Sequence, residues 1–486
     1  MSLRNIFVNG VKWSFIQQIA TQVINYASIF WLAILLVPED FGKVALVVVL
    51  VGVFESINGF GVGQLIVRDN VTDPKLVSTY FWLVLFLSLL LTAFCLAAGI
   101  AYGLLFKLDD PVEFLLLVGI SASALIVNGV ISVFSALYSR DMNFKLLSQY
   151  FIVSLFLGNG CAIWVGYMGL GYWALVVKNI LPGALLFLCF LIAHDYRIQF
   201  HFGRTLIRST WSFTSNVTYF NALNFLVRNL DYIIIGKFFD LNTVGQYSIA
   251  YKIMIFPMKN ITARIQAVLY PLLTRMKDDL RRVERTYSVV TVGISYITFP
   301  LAVLVSSLAV MWVPLFFDVG KYDRLITLVQ VLSVVGAVQS ITSPVMSLYL
   351  VSDRTQVLLY MGLISALING IGFWLGGISN DIHTFALIYA GIQLIVLLPL
   401  SNYIPFRFMR FNFFGFLQKI AIPLVASFCA YVVAILVGSE IGWSVYPKML
   451  AVTGLTLASY VLVLFVLSGG EIVDQLKQAR AMLIQK

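Results

Sequence analysis

A chain of 486 residues that is 60% hydrophobic and only 11% charged, with a mean hydropathy of +0.94, is not a soluble globular protein. Hydrocarbon about 30 Å thick takes roughly 20 apolar residues per helix, so the length accommodates some fourteen spans with no extramembrane domain left over. The formal net charge of +10 points to nucleic acid only until the basic residues are located, because they are sorted by side of a membrane.

The apolar stretches predict spans over 9–36, 43–66, 78–105, 112–138, 146–167, 171–193, 211–236, 245–272, 287–312, 325–350, 356–377, 383–403, 417–437 and 448–468. The expected fold is therefore an all-α polytopic membrane protein. The first segment follows Arg4 and Lys12 and is too long for a signal-peptide core, so it reads as an uncleaved helix. Loops on the side of the amino terminus hold 21 Lys and Arg, opposite loops hold 6, and 5 lie within segments. Both termini are thus expected in the cytoplasm. Cys95, Cys161, Cys189 and Cys429 fall in apolar segments without metal-ligand spacing and read as small interior residues. His194, His201 and His383 are not clustered, and neither a metal nor another cofactor is expected.

The first segment carries Ser14, Gln18, Thr21, Gln22, Asn25 and Ser28 at spacings of three and four, which places them on one side of a helix. The seventh repeats the pattern with Thr214, Thr218, Asn221, Asn224, Arg228 and Asp231. The two segments also share wording: Trp13-Ser14-Phe15 against Trp211-Ser212-Phe213, and far-side turns that end at Gly42 and Gly245. Trp173-Ala174-Leu175 is echoed by Phe385-Ala386-Leu387. Six spans separate each pair, so the copies run in the same direction, related by an axis along the membrane normal. The expected organisation is a lobe over 1–193, a cytoplasmic linker over 194–210, a second lobe over 211–403, and two further helices with a tail over 404–486.

The charges inside the segments matter most. An ionised side chain at the bilayer centre costs about 2.5–3.5 kcal/mol on insertion scales, so such residues face a bundle interior or a wet cavity. At 1.5 Å per residue along a continuous helix, Lys252 and Lys259 lie about 10 and 21 Å from the far end of the eighth segment, and being seven apart they face nearly the same way. Arg228 and Asp231 lie level with Lys252. Pairing of Asp231 with Arg228 or Lys252 still leaves surplus positive charge; the deep acid of the first half is Glu55. Arg264 reads as an interfacial residue that snorkels. A cavity with surplus cations, lined by amides and by aromatic residues such as Trp13, Tyr26, Tyr219 and Tyr251, suits an anionic amphiphile: cations match phosphate, and amides and ring faces match sugar.

Several stretches carry a family resemblance. Asp231-Tyr-Ile-Ile-Ile-Gly236-Lys-Phe-Phe-Asp240, Val244-Gly245-Gln-Tyr247-Ser-Ile-Ala250 and Tyr270-Pro271-Leu-Leu-Thr-Arg275, with Pro38-Glu39-Asp40-Phe41-Gly42 and Ser139-Arg140-Asp141-Met142-Asn143-Phe144-Lys145 in the first half, resemble polysaccharide repeat-unit flippases. These belong to the multidrug/oligosaccharidyl-lipid/polysaccharide exporter superfamily, and the branch exporting colanic or teichuronic acid units is the most similar. The resemblance implies a two-lobed V of twelve core helices plus two, alternating access, and transport of an undecaprenyl-diphosphate-linked oligosaccharide across a bacterial inner membrane. It supplies no catalytic residue. The cavity arginines of related lipid II flippases have only Lys12 as a counterpart in the first segment, which argues against lipid II as substrate.

On this reading Arg228, Lys252 and Lys259 hold the pyrophosphate, Gln18, Gln22, Asn25, Asn221 and Asn224 contact sugar, and Asp231 or Glu55 couples movement to a cation gradient. Expected partners are the lipid-linked oligosaccharide, membrane lipids, and the polymerase and export machinery, with no nucleic acid. The rivals are a cation-coupled drug antiporter of the same fold, a membrane polymerase or ligase, for which the outward loops are too short, and a scaffold.

Overall fold

The computed structural model describes residues 3–58, 62–68, 71–106, 110–193, 199–201, 225–440 and 443–468. Seven helices come first: α1 (Leu3–Leu35), α2 (Pro38–Ile57), α3 (Val62–Arg68), α4 (Pro74–Phe106), α5 (Pro111–Arg140), α6 (Phe144–Tyr167) and α7 (Trp173–Ala193). After them come α8 (Leu230–Phe238), α9 (Leu241–Met254), a π turn at Met258–Thr262, α10 (Ala263–Thr274), α11 (Leu280–Phe316), α12 (Leu325–Thr342) and α13 (Val345–Val351). The chain continues through α14 (Thr355–Ile378), α15 (Ile382–Gly391), a second π turn at Ile392–Leu397, α16 (Leu398–Met409), α17 (Phe413–Glu440) and α18 (Val445–Ser468). Among the described residues, eleven helical stretches are long and apolar enough to cross a membrane. The protein is an all-helical, multi-pass membrane protein. It divides into two compact units, Met1–Gly245 and Gln246–Lys486, with the division inside α9.

In the first unit α6 packs on α7 and α1, and α4 on α5. Small residues set these approaches, because lipid gives helices no hydrophobic reason to associate and close van der Waals contact must do so. A Cβ on Gly158 of α6 would lie 2.6 Å from the ring of Pro182 on α7. Val84, Val130, Phe134, Leu186 and Phe190 belong to one buried cluster with the face of α3. The α6–α7 turn uses Gly169 and Gly171 at φ of 74° and 55°, backbone that side chains with a Cβ rarely adopt.

One close crossing is nearly symmetric. A Cβ on Gly42 of α2 would fall on the carbonyl of Leu241, and a Cβ on Gly245 of α9 on the carbonyl of Pro38. Each glycine meets the carbonyl four residues before the other.

In the second unit the long α11 packs on α12, α17 and α18. Tyr287 of α11 lies against the rings of Phe406 and Phe416, and its hydroxyl donates to Asn402 Oδ1 at 3.1 Å. That bond satisfies a polar group deep in an apolar cluster.

Several expected continuous spans are broken. α2 ends at Ile57, with Asn58 extended at φ −63°, ψ 147°, and α3 begins at Val62. The seventh segment is interrupted at Asn229, φ −117°, ψ 17°, before α8 starts. The eighth loosens into the π turn, the tenth divides at Pro344, and the twelfth contains the second π turn. Cys95 is buried as expected, whereas Cys161 is exposed; it shares the outer face of α6 with Phe156, Leu157 and Trp164, a stripe suited to lipid.

Candidate functional site

The first-segment polar face is built as α1. Gln18, Gln22 and Asn25 are half-buried there. Asn25 Oδ1 accepts from Lys178 Nζ of α7 at 3.3 Å, and Gln17 Oε1 accepts from Ser148 of α6 at 2.9 Å. A lysine five residues into an apolar helix needs an acceptor, and Asn25 provides one. Lys178 is the main residue that reading the sequence passed over. Its signal was present, as one of five basic residues within segments, but it lies outside the stretch where the others gather.

Glu55 is exposed, three residues before the break that follows α2, and its Oε1 accepts from Asn128 Nδ2 of α5 at 2.7 Å. Beside it, Asn58 donates to the Leu125 carbonyl at 2.6 Å and accepts from Ser88 at 2.8 Å. A broken backbone leaves peptide groups without their helical partners; the Asn58 side chain occupies one acceptor of the neighbouring helix and ties the break to α4 and α5.

The seventh-segment charges do not lie on one continuous helix. Arg228 precedes the interruption and is exposed, while Asp231 follows it and is 2% exposed. Asn229 caps the upstream turn by donating from Nδ2 to the Phe225 carbonyl at 2.8 Å. Asp231 sits in the first turn of α8, and its Oδ1 accepts from the Tyr232 amide at 2.9 Å. A carboxylate there is favoured by the positive end of the helix dipole, an effect of about 0.3–1 kcal/mol near a surface and up to about 2 when partly buried. The expected i, i+3 relation between Arg228 and Asp231 therefore loses its helical basis. Asn221 and Asn224 lie outside the described residues.

Lys252, in the last turn of α9, is half-buried, and Lys259 is exposed. Lys259 falls inside the π turn, next to Asn260, whose Nδ2 donates to the Phe256 carbonyl at 2.9 Å. A π turn inserts a residue into the helical register, so seven positions no longer place the two lysines on one face. Arg264 follows in the first turn of α10 and is exposed.

The second unit adds an apolar crevice of about 620 Å³, walled by Phe299 and Val303 of α11, Val334 of α12, Leu387 of α15, and Leu424 and Phe428 of α17. Its walls are mostly apolar, and α17 supplies one side.

The chain matches the polysaccharide biosynthesis protein family over residues 31–319. It is 22% identical to the lipopolysaccharide biosynthesis protein WzxC of Escherichia coli (strain K12), covering 74% of this chain and 72% of that one. It is 23% identical to the teichuronic acid biosynthesis protein TuaB of Bacillus subtilis (strain 168), over 77% of each. Among solved structures it is similar to the lipid II flippase MurJ in an inward closed conformation, with TM-score 0.72 and 12% identity over 94% of this chain and 100% of that one; at that identity the likeness speaks to fold. The polar and charged membrane segments, the helical architecture and the family match agree, and the chain belongs to the family of polysaccharide biosynthesis proteins.

Proposed function

We propose that this chain is a flippase that carries an undecaprenyl-diphosphate-linked oligosaccharide from the cytoplasmic to the outer leaflet of a bacterial inner membrane by alternating access. It acts as a carrier and not as an enzyme, with fourteen spans and both termini in the cytoplasm. The transporting lobes are 1–193 and 211–403, joined by 194–210 and followed by two helices and a tail over 404–486. Arg228, Lys252 and Lys259 receive the pyrophosphate. Gln18, Gln22, Asn25, Asn221 and Asn224 meet sugar hydroxyls, and the crevice between α11 and α17 takes the polyprenyl chain. Glu55 and Asp231 are the groups through which a cation gradient drives the cycle. Polymer assembly proteins consume the product.

The observation that carries this reading is the placing of cations beside broken helix in the stretches expected as the seventh and eighth spans: Arg228 ahead of the Asn229 interruption and Lys259 within the π turn. Irregular backbone at membrane depth persists only where protein or a water-filled cavity satisfies it, and helix breaks in transporters frame the substrate. Charge-assisted bonds to phosphate contribute about 1.5–3 kcal/mol each.

Purified protein in liposomes is expected to translocate a fluorescent undecaprenyl-diphosphate oligosaccharide, and Arg228→Ala with Lys252→Ala to lower the rate at least tenfold at equal reconstitution. Unchanged rates in the double variant defeat the assigned anion site. Export of a cationic dye with no oligosaccharide movement defeats the flippase in favour of a drug antiporter.

A further inference from the structure

A second cavity lies wholly within the first unit, at the helix ends opposite the start of α1, and has a volume of about 510 Å³. That size is within the roughly 300–1,000 Å³ of small-molecule sites. Its wall has an aromatic side, where the rings of Tyr102 of α4 and Phe114 of α5 stack at 5.4 Å between centroids and 26°, with Phe239 after α8 also facing it.

The other side is polar, and its groups are fixed by the fold. Asp110 accepts from the amides of Val112 and Glu113 at 3.1 and 2.9 Å, capping α5. Asp240 caps α9 by accepting from the Thr243 amide at 3.2 Å. Glu113 pairs with Lys43 at 3.0 Å. Glu39 accepts from Asn242 Nδ2 at 3.3 Å. Each carboxylate has two oxygens and about four acceptor positions, and these partners hold it in place.

Against these four carboxylates the wall carries two lysines, Lys43 and Lys237, a formal balance of −2. Phosphate and uronate are repelled by such a wall, whereas the C–H faces of a neutral sugar meet the negative faces of the rings and its hydroxyls donate to oriented carboxylates. We propose that this pocket binds the neutral sugar end of the transported unit on the outward side, a subsite separate in place and in sign of charge from the cations that take the pyrophosphate. The assignment of sidedness and of the sugar as cargo rests on the function proposed above.

The test uses the full chain in lipid nanodiscs and saturation-transfer NMR with cellobiose, N,N′-diacetylchitobiose and digalacturonate, against empty nanodiscs. Ring protons of the two neutral disaccharides are expected to take up saturation, with digalacturonate at least threefold weaker. Asn242→Trp, which fills the pocket, and Phe114→Ala, which removes half of the stacked pair, each lower the neutral signal threefold or more, while Asn242→Gln retains it. Where one variant fails to elute as folded protein, the other decides. No saturation on either neutral sugar, a stronger signal from digalacturonate, or a signal that survives both pocket variants overturns the subsite. Translocation measured separately on the same preparation keeps the two readings distinct: flipping without disaccharide binding defeats the pocket alone, and binding without flipping defeats the flippase alone.

Discussion

Helix α7 and the stretch from Leu241 to Thr274 each carry a proline in the middle of an apolar run, and only the second loosens. In α7, Pro182 removes a backbone donor and yet the helix runs on to Ala193, because Gly158 of α6 leaves room for the ring and the residues beyond, Leu186 and Phe190, are locked in a buried cluster. After α9 the chain passes Pro257 into a π turn that holds Lys259. There the Asn260 side-chain amide donates to the Phe256 carbonyl, four residues back. Proline alone is thus insufficient to break a membrane helix; the packing around the ring decides whether the helix runs on.

The sharpest way to probe this contrast is at the rigid end of the same stretch. Gly245 and Gly42 meet each other's helices at carbonyl distance, so Gly42→Ala and Gly245→Ala are each expected to destabilise by about 2–3 kcal/mol through overpacking. Moving the two helices apart relieves both clashes at once, so the double variant costs less than the sum. Thermal midpoints of the four proteins in detergent decide it, and strict additivity would show that the two contacts are independent.

Next in size is deletion of Asn260, which returns the π turn to α-helical register. Oligosaccharide translocation is expected to fall about tenfold, equivalent to about 1.4 kcal/mol of barrier, with the thermal midpoint no lower than in the parent. A large drop in midpoint with transport intact would mean that the irregular turn serves folding and not transport.

The smallest effect concerns α15, which leads into the other π turn. Its cap, Asp381, accepts from Thr384 Oγ1 and from the amides of Thr384 and His383, and these donors, Thr384 Oγ1 first, hold its carboxyl below the usual range. A lowered folded-state pKa means the cap contributes above the unfolded value of about 3.9 and is lost as pH falls through the folded one. Asp381→Ala should therefore lower the midpoint at pH 7, near the small end of the about 0.5–2 kcal/mol typical of caps, and the gap from the parent should narrow below pH 4. A gap independent of pH would remove the charge from the account.

Hydropathy located the helical stretches well, because a run of apolar residues about one bilayer long has few other uses. The expected positions of α4 through α7 and of α14, α17 and α18 agree closely with the helices found, whereas α11 starts well before its expected span. The breaks were less legible. An asparagine in an apolar run reads only as a polar residue needing a partner; that Asn229 turns back on Phe225 and Asn260 on Phe256 depends on backbone register, which composition does not encode. The same holds for Lys178, whose acceptor on α1 lies 153 positions away. Glu55 stood out in the sequence, and Asn128, which donates to it, did not.

Beyond α7, the short stretch 199–201 returns to α4. The Trp82 indole donates to the Gln199 carbonyl at 2.9 Å, Ser78 accepts from the Gln199 amide at 3.0 Å, and the Phe200 ring stacks on Trp82 at 4.4 Å while remaining 92% exposed. One ring pair and two hydrogen bonds amount to about 1.5–4.5 kcal/mol. The chain thus meets α4 again soon after leaving α7, and two of the three described residues of that stretch are fastened to Ser78 and Trp82 on one face of α4.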